Sequence, residues 1–172
     1  MRRLPGVCGL AGHTDTPRTA RLTRAEKTAG MLSLLAGAIH GGVTPTHFDE
    51  WWGYGIFFIF AAAAQLLLGL AILTNAINPN DTGPRWRRWR RWMYWTGIVG
   101  NALIIILYVV TRTVGIPPLG PEAGEVEPVA AIDVVSKATE VALIVVLAVL
   151  LWKDRAAAAD EPGSAGARQA DA

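Results

Sequence analysis

The 172-residue sequence contains one cysteine, Cys8, which excludes an intrachain disulfide and a Cys-x-x-Cys redox or zinc motif. Only His40 of its three histidines falls in a long apolar segment, so one chain does not supply two axial imidazoles for haem. The opening MRRLPGVCGLAG has no apolar core of about 7 to 15 residues, so we expect no cleaved signal peptide. The first long apolar segment is then expected to act as the insertion signal.

Apolar residues dominate the chain, which is 52% hydrophobic and 17% charged. Four segments, 28–44, 51–74, 92–115 and 129–152, come near the roughly 17 to 25 residues that a helix needs to cross a bilayer. The first is the weakest, because it is short and contains several glycines. We therefore predict an all-α, polytopic membrane protein with one four-helix transmembrane bundle, 28–152. A basic N-terminal segment, 1–27, precedes it, and a disordered tail, 153–172, follows it.

Basic residues are absent from two of the connections between these segments. The connections near 45–50 and 116–128 carry only acidic charges, whereas all but two of the 16 Lys and Arg residues lie in the N-terminal segment, the middle linker and the tail. The two exceptions, Arg112 and Lys137, fall within apolar segments. The positive-inside rule thus predicts a multi-pass plasma-membrane protein with both termini in the cytoplasm.

Charged residues interrupt the last apolar segment. Asp133, Lys137 and Glu140 share one helical face by their i, i+4, i+7 spacing, and each ionised group near a bilayer centre costs about 2.5 to 3.5 kcal/mol. In the third segment Arg112 lies near the same membrane boundary as Asp133, so we predict that these two side chains pair.

Polar side chains of all four segments are expected to form an intramembrane site that opens outward and narrows to an amide layer. Two interpretations stay open: a structural ion-pair network that fixes helix packing, or a proton or cation site. The residues of the predicted site are His40, Gln65, Asn101, Tyr108, Arg112, Asp133, Lys137 and Glu140.

The first outer connection suggests a weak metal site. His40, His47, Asp49 and Glu50 have side chains that could ligate a divalent cation, although no HExxH or repeated Cys/His pattern accompanies them. The competing interpretation of His47, Asp49 and Glu50 is a pH-sensing or helix-capping role. We predict no other cofactor.

Arginine and tryptophan alternate just before the third segment. The run can bind anionic lipid or nucleic acid, but Trp at headgroup depth and Arg on the cytoplasmic flank are also what any span needs as an anchor. We predict a membrane-interface anchor and no nucleic-acid partner. Its residues are Arg85, Trp86, Arg87, Arg88, Trp89, Arg90, Arg91 and Trp92.

Three stretches resemble a known group of proteins: HFDEWWGYGIFF (47–58), YVVTRTVGIPPLGP (108–121) and EVEPVAAIDVVSKATE (125–140). Their pattern is similar to that of four-helix integral membrane proteins of high-GC bacteria with no established activity. The resemblance implies a fold and a membrane location, and it transfers no catalytic or binding residue.

Two functions follow as hypotheses. The first is a small proton or cation carrier, channel or sensor subunit. Because four helices give little room for alternating access, we expect such a protein to form a homo-oligomer. The alternative is a non-transporting accessory or assembly protein that contacts another membrane protein and whose buried charges are structural. An enzyme is not predicted, because the sequence has no nucleophile-base pair, phosphate-binding glycine loop or metalloprotease motif.

Overall fold

The structure, a computed structural model, describes residues 21–76, 83–114 and 128–159. The predicted all-α class is confirmed. Within the described ranges the chain forms four helices: α1 (Arg24–Glu50), α2 (Trp52–Leu73), α3 (Pro84–Thr113) and α4 (Ala131–Ala159).

The helices extend beyond the predicted apolar segments. Helix α1 continues through Pro45, α3 already begins at Pro84, before the Arg/Trp run, and α4 continues to Ala159. The predicted bounds are those of membrane spans and stay a prediction, because hydropathy marks the length of helix that lipid can cover, whereas backbone hydrogen bonding decides where the helix ends. The predicted tail is thus helical up to residue 159. The rest of the tail (160–172), residues 1–20 with Cys8, and most of the connection between α3 and α4 (115–127) lie outside the described residues.

Helices α1 and α2 form a hairpin with one residue between them. Thr23 caps α1 in a capping box, in which its hydroxyl accepts from the Glu26 amide and the Glu26 carboxylate accepts from the Thr23 amide at 2.7 Å. At the other end Trp51 has extended backbone angles and separates Glu50 from the first residue of α2. The predicted outer connection is therefore the last turn of α1 and not a loop.

Small residues bring α1 and α2 into close contact. A methyl group added to Gly69 would lie 2.8 Å from the Gly30 carbonyl oxygen, so neither helix has room for a side chain there. Helix α2 ends in a Schellman motif: Asn75 has a φ of 59°, and the Ala76 amide donates to the Ala71 carbonyl at 3.0 Å.

Helix α1 lies beside both α2 and α4, and α3 packs on α4, whereas α2 and α3 touch each other little. A buried apolar cluster closes one end of the bundle, with Ile72, Tyr94, Leu143 and Leu147 at its centre. The basic residues of α3 lie at this same end. Asp133, Lys137 and Glu140 of α4 lie toward the opposite end.

Three of the four helices, α2, α3 and α4, are long and apolar enough to cross a membrane. Large apolar side chains on them face outward, among them Phe60 and Leu67, which are 70% and 66% exposed. Helix α1 does not reach the same apolar composition, although it had been predicted as a span. The residues that α1 buries are small or polar instead.

Candidate functional site

The carboxylate of Glu140 is the centre of the polar site. This side chain has no exposed surface, and it lies on the face of α4 that meets α1. Lys137, one turn earlier, donates to both carboxylate oxygens at 2.9 and 2.7 Å, and the Ser136 hydroxyl donates to Oε1 at 3.2 Å. A buried carboxylate needs such donors, because leaving it unpaired would cost several kcal/mol.

His40 of α1 completes this group. Its Nε2 lies 2.7 Å from Glu140 Oε1, so α1 and α4 are joined by a buried polar contact across 100 positions of sequence. His40 is 3% exposed, and among the described residues its Nδ1 finds no hydrogen-bonding partner. If Nε2 carries the hydrogen donated to Glu140, Nδ1 holds a free lone pair that can accept a proton.

Arg112 and Asp133 form the ion pair that the sequence predicted, with Arg112 Nη2 3.0 Å from Asp133 Oδ2. The same carboxylate oxygen accepts from the Ala130 amide at 3.0 Å, and this contact caps the start of α4. Tyr108 lies one turn before Arg112, and its ring faces both cations, with Arg112 at 5.3 Å and Lys137 at 5.2 Å from its centroid. Tyr108 thus connects the two ion pairs.

A layer of amides lies farther along the bundle. Gln65 Nε2 donates to Asn101 Oδ1 at 2.9 Å, and Asn101 Nδ2 donates to the Gly97 carbonyl at 2.7 Å. The Ser33 hydroxyl donates to the backbone carbonyl of Gln65 at 2.6 Å. These contacts join α1, α2 and α3 about two helical turns, or roughly 10 Å, from the level of Tyr108.

A cavity of about 660 Å³ lies between all four helices, at the end of the bundle that holds Asp133 and Lys137. Arg112, Lys137 and His40 line it, and aromatic side chains such as Tyr54 and Phe58 form much of its wall. The two residues of the amide layer are not among its lining residues. Five of the eight predicted site residues line the cavity, and Glu140 lies directly behind them, bonded to His40 and Lys137. The Gln65–Asn101 pair lies beyond the cavity.

The four residues proposed as metal ligands, His40, His47, Asp49 and Glu50, do not form one cluster. His47 Nδ1 contacts Glu50 at 2.7 Å, whereas His40 contacts Glu140. The ring of Phe58 lies between the two imidazoles, at centroid distances of 3.9 Å from His47 and 5.3 Å from His40. Within residues 21–76, 83–114 and 128–159 no group of three or more His, Cys, Asp or Glu could hold a metal ion. The metal site is thus not confirmed.

The Arg/Trp run forms the first turns of α3. Arg90 binds Asp154 of α4 through two hydrogen bonds, Nε to Oδ2 at 2.8 Å and Nη2 to Oδ1 at 2.9 Å. This paired contact was not predicted, because Asp154 had been assigned to the tail. Trp89, Trp92 and Trp95 remain 43% to 61% exposed, as expected for side chains that anchor a helix at a membrane interface.

Sequence reasoning also missed Ser136 and Phe58. Ser136 lies four residues before Glu140, so helical spacing was a usable signal for the contact between them. Phe58 had no such signal, since its place between the two histidines depends on how tightly α1 turns into α2.

A family model described as a family of unknown function (DUF8044) matches residues 51–115, which include α2 and α3. No curated protein and no solved structure matches the chain. The family match covers less than half of the sequence, and its description states no activity. What the resemblance implied for 125–140, and for a bacterial source, stays a prediction.

Proposed function

We propose that the chain is an integral membrane protein in which all four helices lie within the bilayer. Three helices have the length and apolar composition of spans, and large apolar side chains cover their outer faces. Helix α1 packs along α2 from Gly30 at one end to Phe48, which contacts Gly55, at the other. Because the two helices run side by side, α1 lies at the same depth as α2, and its buried Ser33 and His40 bond to α2 and α4.

The proposed orientation places the Arg90 end in the cytoplasm and the cavity on the outside of the plasma membrane. A membrane-impermeant thiol reagent applied to intact cells should leave Cys8 unlabelled. In a Cys8→Ser background, Asp49→Cys should be labelled, because Asp49 is exposed at the cavity end. Labelling of Cys8 in the unmodified protein, together with protection of the cysteine in Asp49→Cys, would show that the protein has the opposite orientation.

We propose that the cavity binds a proton at the His40–Glu140 pair, as part of a small carrier, channel or sensor. The unpartnered Nδ1 of the buried His40 carries this proposal, since it is a proton acceptor beside a cavity. The groups that bear on it are Glu140 and Lys137 on α4, and Tyr108 and Arg112 on α3. A metal cation is less favoured, because Lys137 and Arg112 already neutralise the two carboxylates.

Histidine-selective NMR of the full chain in lipid bilayers tests proton binding. The ring nitrogen signals of His40 should report a hydrogen on Nδ1 when the sample is acidified, and Glu140→Gln should alter this response. His47→Gln is the matched control, since it removes an imidazole that pairs with Glu50 and should leave the His40 response in place. Ring signals of His40 that do not change on acidification would contradict the proposal.

The second candidate is a non-transporting accessory or assembly protein. It is favoured by one observation: within each of the ion pairs Arg112–Asp133 and Lys137–Glu140, the positive and negative charges neutralise each other. Neither candidate gives the chain a catalytic role. Liposome proton flux and detergent stability of Glu140→Gln separate the two candidates. Flux lost with stability kept supports a carrier or channel, and absence of flux in the unmodified protein together with a destabilised variant supports the structural role.

A further inference from the structure

A second cavity lies at the opposite end of the bundle, in the groove between the first turns of α3 and the last turns of α4. Its volume is about 800 Å³. We call it the basic groove, and its lining residues are Arg87, Arg88, Arg90, Arg91, Trp92, Trp95, Val99 and Asp154.

The charge of the basic groove is positive. Four arginines line it, and among the described residues of its lining Asp154 is the one acid. Asp154 is held by Arg90 through two hydrogen bonds, so it does not neutralise Arg88 or Arg91. Arg88 and Arg91 are exposed there. Guanidinium groups in this arrangement favour a phosphate, which they can bind through paired hydrogen bonds.

The other half of the basic groove is apolar. Arg88, Trp92, Trp95 and Val99 share one helical face by their i, i+4, i+7, i+11 spacing, and the last three are 61%, 43% and 48% exposed. From Arg88 to Val99 the face runs about 16 Å along the helix axis, which is about half the thickness of a hydrocarbon core. Arg155 of α4 lies 6.0 Å from the centre of the Trp95 ring, which adds a further cation beside the groove.

A ligand that matches this face has an anionic end and an apolar end in one molecule. A soluble polyanion such as RNA would use only the arginines and leave Trp95 and Val99 uncovered. We propose that the basic groove binds the phosphate headgroup of an anionic phospholipid from the adjacent leaflet, with an acyl chain along Trp95 and Val99. This site is separate from the proton site, so either proposal can fail without the other.

Quenching of tryptophan fluorescence by brominated lipid measures such binding. The full chain is placed in phosphatidylcholine vesicles that contain a small fraction of brominated phosphatidylglycerol. Brominated phosphatidylcholine at the same fraction is the reference lipid. The unmodified protein should be quenched more by the anionic lipid than by the reference, and Trp92→Phe/Trp95→Phe should lose much of this difference.

Two double variants separate a site from general surface attraction. Arg88→Gln/Arg91→Gln removes two groove charges, whereas Arg85→Gln/Lys153→Gln removes two exposed charges near the same end that do not line the groove. The preference for the anionic lipid should fall about tenfold or more in the first and less than about threefold in the second. Arg88→Lys/Arg91→Lys retains the charge but not the paired hydrogen bonds, so it should lose less of the preference than Arg88→Gln/Arg91→Gln, and the binding it keeps shows that the positions tolerate substitution.

Three results would overturn the proposal. Equal losses in the two double variants would mean attraction by surface potential without a site. An unchanged preference in Arg88→Gln/Arg91→Gln would place the lipid elsewhere. Displacement of the brominated lipid by a short RNA at low concentration would identify the groove as a site for soluble polyanions.

Discussion

Replacement of Lys137 by Met should destabilise the bundle more than replacement of Glu140 by Leu. The reason is the group that each change leaves behind. Lys137→Met leaves a carboxylate with no exposed surface, still bonded to His40 and Ser136 but without its cation. Removal of one partner of a buried pair costs about 3 to 5 kcal/mol.

Glu140→Leu leaves a lysine instead of a carboxylate. The Lys137 side chain is 17% exposed, lines the cavity and keeps its contact with the Tyr108 ring. The main loss is then the hydrogen bonding of His40 and Ser136, at about 1 to 3 kcal/mol. The double variant Lys137→Met/Glu140→Leu should be more stable than Lys137→Met alone, because it leaves no buried charge.

Unfolding by SDS in mixed micelles, followed by far-ultraviolet circular dichroism, measures these free energies. The loss in Lys137→Met should shrink as the pH falls, because protonation of Glu140 removes the unpaired charge. Losses that simply add in the double variant, or a Glu140→Leu protein less stable than Lys137→Met, would refute this account of the ion pair.

Two further changes test the packing of the helices by the same assay. Gly69→Ala should destabilise the protein by about 1 to 3 kcal/mol, because the new methyl group would lie 2.8 Å from the Gly30 carbonyl oxygen. Gly100→Ala is its control: apart from its own turn of helix, no described residue lies within 4 Å of the added methyl group. This variant should be neutral or up to about 1 kcal/mol more stable, and equal losses at both positions would contradict the close-packing argument. Gln65→Leu should cost about 0.6 to 2 kcal/mol through the lost hydrogen bond to Asn101, and an unchanged unfolding curve would show that this amide contact adds nothing to stability.

Spacing along single helices predicted much of the site. The pair Arg112–Asp133 followed from matching their depths in two neighbouring segments, and the amides Gln65 and Asn101 were placed at one level in the same way. The contact of His40 with Glu140 was not predicted as a pair, because it depends on how α1 is rotated against α4, and helical periodicity does not fix that rotation.

Helix ends were harder to predict than helices. A proline at position 45 and a run of arginines after Pro84 both look like boundaries in the sequence, yet α1 and α3 include them. The sequence indicated that α1 is the weakest of the four segments, and α1 is the one helix of the four that does not reach the apolar composition of a span. Its weakness in apolar residues has a structural reason, since Ser33 and His40 bond to neighbouring helices and need no lipid-facing surface.

For the membrane location proposed above, the single-residue turn at Trp51 bears on how the chain would insert. A helix as weakly apolar as α1 gains little by partitioning into lipid alone, whereas α2 has a mean hydropathy of 2.6 over its most apolar window. With one residue between them, the two helices can enter as a single helical hairpin, and the Ser33 hydroxyl is then satisfied by α2 from the outset. Insertion of the hairpin would therefore depend on the apolar surface of α2. Helix α1, which the sequence suggested as the insertion signal, would enter the membrane together with α2.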